Sequence, residues 1–464
     1  MTTKAVNEYD MIIVGAGVVG CAAAKAFGED GRKVLLLERD LSEPDRIVGE
    51  LMQPGGMHAL KKLGMEDCAE GIDGINCYGY SVYYKGELVE LPYTQDPTTG
   101  KQARGVAFHH GRFIQNLRKS AMNTKNVTVR EMTVNRLISY SETDNRVIGV
   151  VATPKGEDEK EEKLYAPLTL VADGIFSKFR KDFFERSTNV MSHFVGFLLH
   201  DFQLPYDKKG FVAVAKPSPI LMYQIAPHDT RVLVDVPGEL PKVGNGDLKR
   251  YMEEVVCPEL PANMQEKFME ALQTERLRPM PSGFLPPSIN QREGAIIIGD
   301  ALNVRSPLTG GGMTVALEDV LTVAQLLSKQ NVPSFTDSHL VLQAMDTFHW
   351  SRKKHSAVIN CLSMSLYSVF AAKTESMKVI QKGCFEYFKL GGSCVDGPIN
   401  LLAGMNYSPA ALLYHFYMVA LYSIYVMFRD GGLVGIPQNI FKAFAVFYTA
   451  CVTIMPFLWG ELKN

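Results

Sequence analysis

The chain has almost no net charge, no paired-cysteine motif and no histidine pattern suited to a metal, and each gap removes a class of function. Its 48 Lys and Arg stand against 50 Asp and Glu, a formal net charge of −2. With no basic tract interleaved with aromatics either, nothing argues for nucleic acid as a partner. The eight cysteines contain no CxxC pair, and the histidines lack ligand spacing. Neither structural zinc nor any other metal site is expected, and a reduced compartment is the simplest reading. Cys384 and Cys394 read as packed thiols rather than a redox pair, and the His109–His110 pair has no third ligand. The N-terminus lacks the positive, apolar and small-residue succession of a cleaved signal peptide. Only one complete GxGxxG is present, and no separate nicotinamide domain can be found.

What is present begins with Tyr9 to Arg39, which reads as strand, glycine turn, helix, strand and then an acid. That order grips the adenosine diphosphate half of a dinucleotide. Gly15 permits the tight turn, Gly17 lets backbone approach a pyrophosphate, and Gly20 lets the helix lie against the sheet. The amides of Val18 and Val19 open the helix toward the phosphate charge. Glu38 ends the apolar run Val34 to Leu37 and is placed to accept from ribose hydroxyls, which favours FAD or NAD over NADP.

A second segment, Ala295 to Asp319, presents Gly299 and Asp300 at a strand end, then Pro307 and the run Gly310, Gly311 and Gly312 before Met313 and an amphipathic helix. Such an aspartate can hold ribityl hydroxyls, while the glycine run brings amides beside a flavin ring that becomes negative on reduction. An NAD dehydrogenase has little need of this site, so FAD is the expected cofactor. A third segment, Leu168 to Arg180, puts Asp173 and Gly174 after another apolar strand and reads as a strand-to-helix junction.

The GxGxxG, DG and GD turns in this order resemble the group A flavoprotein monooxygenases. The long words ERDLSEPDRIVGELMQPGG (Glu38 to Gly56), FHHGRF, ADGIFSKFRK, SHFVGF, SGFLPP, SPLTGGGMTVA and YFKLGG narrow the resemblance to the squalene monooxygenase family over nearly the whole chain. The chain is expected to begin directly at the cofactor domain, without the N-terminal extension of some members. The resemblance implies an α/β fold: a Rossmann-like, glutathione-reductase-like FAD-binding domain, a mostly β substrate domain and a helical, membrane-associated C-terminal domain. It implies epoxidation of squalene to the 3S 2,3-epoxide in sterol biosynthesis, with O2 as cosubstrate and electrons from NADPH through NADPH-cytochrome P450 reductase. It also implies the cytosolic face of the endoplasmic reticulum membrane, with lipid droplets as a further location.

The expected organisation is discontinuous. FAD-binding parts occupy residues 1–75, 102–187 and 291–345, substrate-domain parts 76–101 and 188–290, and the helical domain 346–464. The run Gly156 to Lys163 should be an exposed hairpin tip. Gly397 through Phe428, and Ala443 through Gly460, contain no Asp, Glu, Lys or Arg, and each is long enough for a membrane helix. The first is uneven, with Pro398, Asn400, Asn406 and Pro409 among clustered tyrosines, so spanning, interfacial attachment and a buried hairpin all remain open.

Oxygen transfer to an alkene needs no side-chain nucleophile: a reduced flavin forms a C4a-hydroperoxide whose distal oxygen is electrophilic. The protein must hold the ring, exclude water and bring one double bond close. The family match assigns cofactor contacts to Arg39, Arg46, Arg112, Asp300 and Met313. Tyr80 and Gln53 are assigned to the reacting end, Tyr80 orienting the Gln53 amide. Phe194, Leu221, Tyr223, Phe284, Pro286 and Leu308 are candidates for a greasy channel wall. Open alternatives are a flavin hydroxylase of another lipophilic or aromatic substrate, a flavin-dependent isoprenoid reductase and a non-catalytic flavin-binding scaffold.

Overall fold

The computed structural model describes residues 8–156, 160–432 and 436–462. Four strands with nearly unbroken apolar runs, Met11–Val14, Val34–Glu38, Leu168–Val171 and Ala295–Ile297, lie parallel in one sheet. A strand covered on both faces requires apolar side chains at successive positions rather than alternate ones. Ile12, Ile13, Leu35, Leu36, Leu170 and Ile296 are accordingly fully buried. Helices Val18–Glu29, His110–Met122 and Gly312–Leu326 contribute to the same core. Val127–Ser139 adds a fifth parallel strand beside Val34–Glu38, and Val147–Pro154 and Glu162–Tyr165 extend the sheet antiparallel. The charged run Gly156 to Lys163 joins those last two strands; its residues 157–159 lie outside the described residues.

A second seven-stranded sheet runs in the order Arg278–Phe284, Asn189–His200, Asp229–Pro237, Ile220–Ala226, Gly210–Ala213, Gly79–Tyr84, Glu87–Pro92. All its pairings are antiparallel except that of Gly210–Ala213 with Gly79–Tyr84, a strand from much earlier in the chain. Side chains alternate across this sheet. Val195, Phe197 and Leu199 share a core with helix Ala262–Thr274, where the Phe197 and Phe268 rings meet edge-on at 5.2 Å. Phe194 and the partly buried Leu198 face the other way, into a core shared with the C-terminal helices. A small three-stranded sheet, Leu51–Met52, Gly105–Ala107 and Ile75–Cys77, sits between the two large ones in the chain path.

The remaining chain is helical. Asp337 caps the long helix Ser338–Ala371 by accepting from Leu340 N at 3.1 Å, and Thr374 caps Glu375–Lys389 by accepting from Met377 N at 3.2 Å. The two helices bend by 109° around the left-handed Ala372. The charge-free stretch from Gly397 is not one helix, as its composition allowed. It divides into the end of Ser393–Leu402 and the start of Pro409–Gly431, because Ser408 caps the second helix, accepting from Ala411 N at 3.2 Å, and Pro409 sits in its first turn. Ala443 to Gly460 lies within a single helix, Ile436–Leu462, despite Pro456. The helices Pro409–Gly431 and Asn439–Leu462 have mean hydropathy of 1.6 and 1.7 and are long and apolar enough to cross a membrane. After Leu168–Val171 the expected helix is absent; a single 3-10 turn, Arg180–Asp182, stands there instead.

Helices Glu375–Lys389 and Pro409–Gly431 touch at Gly383, where an added Cβ would fall 1.9 Å from Ser423 Oγ and 2.4 Å from Ser423 Cα. Gly383→Ala should therefore cost about 1–3 kcal/mol by overpacking, more than the helix propensity it gains. A lower thermal unfolding midpoint in detergent is the expected result.

Candidate active site

The first strand ends at Gly15, whose φ of +101° suits glycine, and a Cβ there would lie 2.6 Å from Ala172 O. A Cβ at Gly20 would lie 1.7 Å from Gly15 O, so this glycine serves contact between helix and turn and does not face a ligand. Gly17 differs: a Cβ there would meet nothing within 4 Å, and the residue lines a cleft of about 920 Å³ with Val18, Val19, Arg39 and Arg46. A phosphate-bearing ligand fits such a cradle, where bare backbone faces open space at a helix start. Glu38 Oε2 accepts from Ala16 N at 2.7 Å. This bond holds the turn closed and leaves the acid on the cleft wall.

Arg112 does not join the cleft lining. Its guanidinium is half exposed and donates to Asp73 at 2.9 Å, an exposed carboxylate that draws it away. The guanidinium that reaches the turn belongs to Arg118, on the same helix. It is buried, donates from Nε to Ala16 O at 3.1 Å and from NH1 to Ser42 O at 2.8 Å, and lies 3.8 Å from Glu38. Both arginines sit in FHHGRFIQNLR; only their different faces on the helix separate them, six residues apart. His110, at the start of that helix, lines the cleft and donates from Nδ1 to Gly49 O at 2.9 Å. Burial pushes its imidazole down to about 4, which keeps it neutral.

The other two turns close around the same cleft. Gly299, φ +68°, approaches Val19 so closely that a Cβ would lie 2.8 Å from its Cγ2. Arg180 joins the DG and GD turns, donating to Ile175 O at 2.8 Å, Ala301 O at 2.8 Å and Asp300 O at 3.0 Å. Asp300 opens onto the cleft floor, where its depth raises the carboxyl and Arg305, Arg46 and Arg180 oppose that rise. Asp173 lines the cleft as well, and burial raises it. Pro307, Leu308, Gly310, Gly312 and Met313 form the far end. Gly311 does not: a Cβ there would strike Ile359 Cγ2 at 2.5 Å, so its role is contact with helix Ser338–Ala371.

Gln53 lies behind this end and lines neither cavity described here. It is fully buried, donates from Nε2 to the Tyr80 hydroxyl and to Thr309 O at 2.8 Å, and accepts at Oε1 from the Tyr93 hydroxyl at 2.6 Å. Its amide is thus taken up by protein partners, one of them the expected Tyr80. Tyr93, absent from the sequence-based candidates, meets Tyr80 edge-on at 6.1 Å. Desolvation raises both phenols, so they stay neutral.

A second cavity, almost wholly apolar, runs from Tyr80, Val212 and Leu308 among Val369, Phe370, Ile380, Phe388, Leu402 and Val419. Tyr80, Val212 and Leu308 also line the cleft, so the two spaces adjoin across these three side chains. Of the channel candidates only Leu308 lines this cavity. Leu221 and Tyr223 line the cleft, beside the buried ion pair of Glu50 with Arg231 at 2.7 and 2.9 Å. Phe194 is sealed in the core, and Phe284 and Pro286 pack on the terminal helix, Phe284 meeting Phe457 at 5.5 Å. The greasy wall comes chiefly from helices after Ser338, whose 3.6-residue apolar spacing was the available signal.

The squalene epoxidase family pattern matches residues 165–441. Squalene epoxidase erg1 of Schizosaccharomyces pombe is 44% identical over 461 residues, covering 99% of this chain and 100% of its own length. The chain belongs to the squalene epoxidase family. Squalene monooxygenase of Mus musculus, 46% identical, aligns over 100% of this chain and 80% of its own. Among solved structures, p-nitrophenol 4-monooxygenase PnpA of Pseudomonas putida superposes with a TM-score of 0.67 at 16% identity, over 86% of this chain and 99% of its own. That likeness concerns the fold, which the family shares with flavin monooxygenases of unrelated substrates.

The two arginines give a direct test. Arg118→Met should weaken FAD retention about tenfold, the loss of one charged hydrogen-bond set. Arg112→Met should leave it within about twofold. Flavin fluorescence on titrating the apoprotein measures both.

Proposed function

We propose that this enzyme holds FAD in the large cleft and epoxidises squalene at the junction where Tyr80, Val212 and Leu308 are shared by both cavities. That shared wall is the observation that carries the reading: an almost wholly apolar cavity adjoins, at Tyr80, Val212 and Leu308, a cleft that is also lined by Gly17, where a pyrophosphate fits. The cofactor assignments proposed are Gly15, Gly17, Val18, Val19 and Glu38 for the adenosine half, with Arg118 in place of Arg112. Arg39, Arg46 and Asp173 flank the cleft, and Asp300, Pro307, Gly310, Gly312 and Met313 take the ring half.

When bound, reduced FAD supplies the activation of dioxygen that an alkene cannot achieve alone. The chain's own residues position and exclude. The apolar lining desolvates the reacting alkene, and neutral Tyr80 and Tyr93 add no charge beside it. Gln53 fixes the Tyr80 hydroxyl against Thr309 O, so the passage and the ring end keep one geometry. Epoxidation draws its second pair of electrons from outside, and NADPH acting through a cytochrome P450 reductase is the proposed source.

Membrane attachment is proposed through the last two helices. In Ile436–Leu462, Val446, Ala450 and Ile454 are buried against the protein, whereas Phe441, Phe444, Tyr448, Met455 and Trp459 are exposed. One face on the body and one apolar, aromatic face outward gives this helix an outer surface suited to lipid. A lipid-dissolved substrate would then enter the apolar cavity without crossing water. The cytosolic face of the endoplasmic reticulum, and lipid droplets, are the proposed locations, in sterol biosynthesis.

The deciding assay supplies the detergent-solubilised protein with FAD, NADPH, a cytochrome P450 reductase, labelled dioxygen and squalene. One labelled oxygen in 2,3-oxidosqualene is expected by mass spectrometry; flavin reduction and oxygen consumption without labelled epoxide would overturn the substrate. Leu308→Trp should cut epoxide formation at least about tenfold by blocking the junction, while the reductase still reduces the flavin. Tyr80→Phe should lower turnover and alter the binding of pocket inhibitors; unchanged values for both would remove Tyr80 from the pocket.

A further inference from the structure

The terminal helix Ile436–Leu462 carries one acid, Glu461, between the exposed Trp459 and Leu462, and buries it. Asn360 Nδ2 donates to Glu461 Oε1 at 2.6 Å and also to Asn303 Oδ1 at 3.0 Å. The same Asn303 oxygen accepts from Arg305 NH2 at 2.8 Å and Arg352 NH2 at 3.2 Å, and Asn303 Nδ2 donates to Leu285 O at 2.7 Å. Arg305 reaches on to Gly312 O at 3.4 Å, the first residue of the helix at the ring end of the cleft. A side-chain chain thus runs from the membrane-side helix to the loop that frames this end.

Charge accounting points the same way. Arg305 and Arg352 are both buried, and a buried guanidinium needs a carboxylate nearby. Asp319 is taken up by Arg352, at 3.0 and 2.8 Å, and by His355 at 2.9 Å. Asp300 opens toward the cleft, where a ligand would compete for it. Glu461 is a further carboxylate whose field reaches Arg305, after those of Asp300 and Asp319, and it acts on Lys353 as well.

We propose that Glu461 is a positioning residue for the flavin. From the membrane-facing helix it holds the loop from Asn303 to Gly312 through Asn360, and its charge balances Arg305 behind the ring. Flavin affinity and potential therefore depend on how the terminal helix is seated. The inference rests on the reading of the cleft as the FAD site.

The test uses full-length protein in phospholipid vesicles, comparing wild type, Glu461→Gln, Asn360→Leu and the exposed neighbour Leu462→Ala. Glu461→Gln keeps an acceptor for Asn360 and removes only the charge. It should shift the bound flavin's reduction potential to more positive values, because a negative charge near the reduced ring is gone. Asn360→Leu should weaken FAD binding about tenfold, and Leu462→Ala should change neither. A folded Glu461→Gln protein with wild-type potential, or a folded Asn360→Leu protein with wild-type FAD affinity, would overturn the proposal. If Glu461→Gln does not fold, the Asn360→Leu affinity decides. A wild-type protein that binds no FAD would overturn the cleft assignment itself, a different result from equal binding by all four proteins.

Discussion

One buried amide joins the parts that must act together. Gln53 stands at the start of helix Pro54–Lys62, yet its side chain is bonded to Tyr80 of the second sheet, to Tyr93 and to the carbonyl of Thr309 beside the glycine run. An amide with no access to water must find protein partners, and here they come from three distant segments. A shift of any one leaves a polar group unpaired in an apolar setting, at a cost of roughly 1–3 kcal/mol. The wall shared by cleft and apolar cavity is therefore kept by satisfaction of one side chain as well as by packing.

Buried charge does similar work at two other seams. Glu50 and Arg231 pair across the boundary between the cleft's loop and the second sheet, and Arg352 with Asp319 joins the long helix to the helix after the glycine run. Such pairs add little net stability over apolar packing, but breaking one strands a charge. They penalise any arrangement in which the layers slide. An apolar substrate offers few directional contacts, so the geometry that selects a double bond has to reside in the protein, and these pairs and the Gln53 amide help supply it.

The C-terminal helices have two roles because their two faces differ. Helix Glu375–Lys389 and the faces of the last two helices directed at the body build the apolar cavity, with Phe388, Val419 and Ala450 on its wall. The opposite faces carry exposed rings, Tyr414, Tyr425, Phe441 and Tyr448 among them. With the proposed membrane attachment, such a wall would give a lipid-dissolved molecule a short path from bilayer to the cavity.

The strand, glycine turn and helix that open the cleft were legible in the amino-acid order because their geometry is local. Strand, turn and helix follow one another from Met11 to Glu29, and the positive φ at Gly15 and the contact of Gly20 with Gly15 O arise within a few residues, although Gly15 also abuts Ala172 at the end of a distant strand. Local order also carried the apolar character of the last helices. It could not choose between Arg112 and Arg118, since the choice depends on Asp73 and on which helix face meets the turn. Nor could it show that Gly311 serves Ile359, that Phe194 is sealed away, that Tyr93 bonds Gln53 or that Glu461 bonds Asn360. Those contacts join residues up to hundreds of positions apart. Spacing along a chain encodes what a turn or helix requires, whereas partners across packed layers are decided only when burial forces each polar group and each side-chain volume to find its complement.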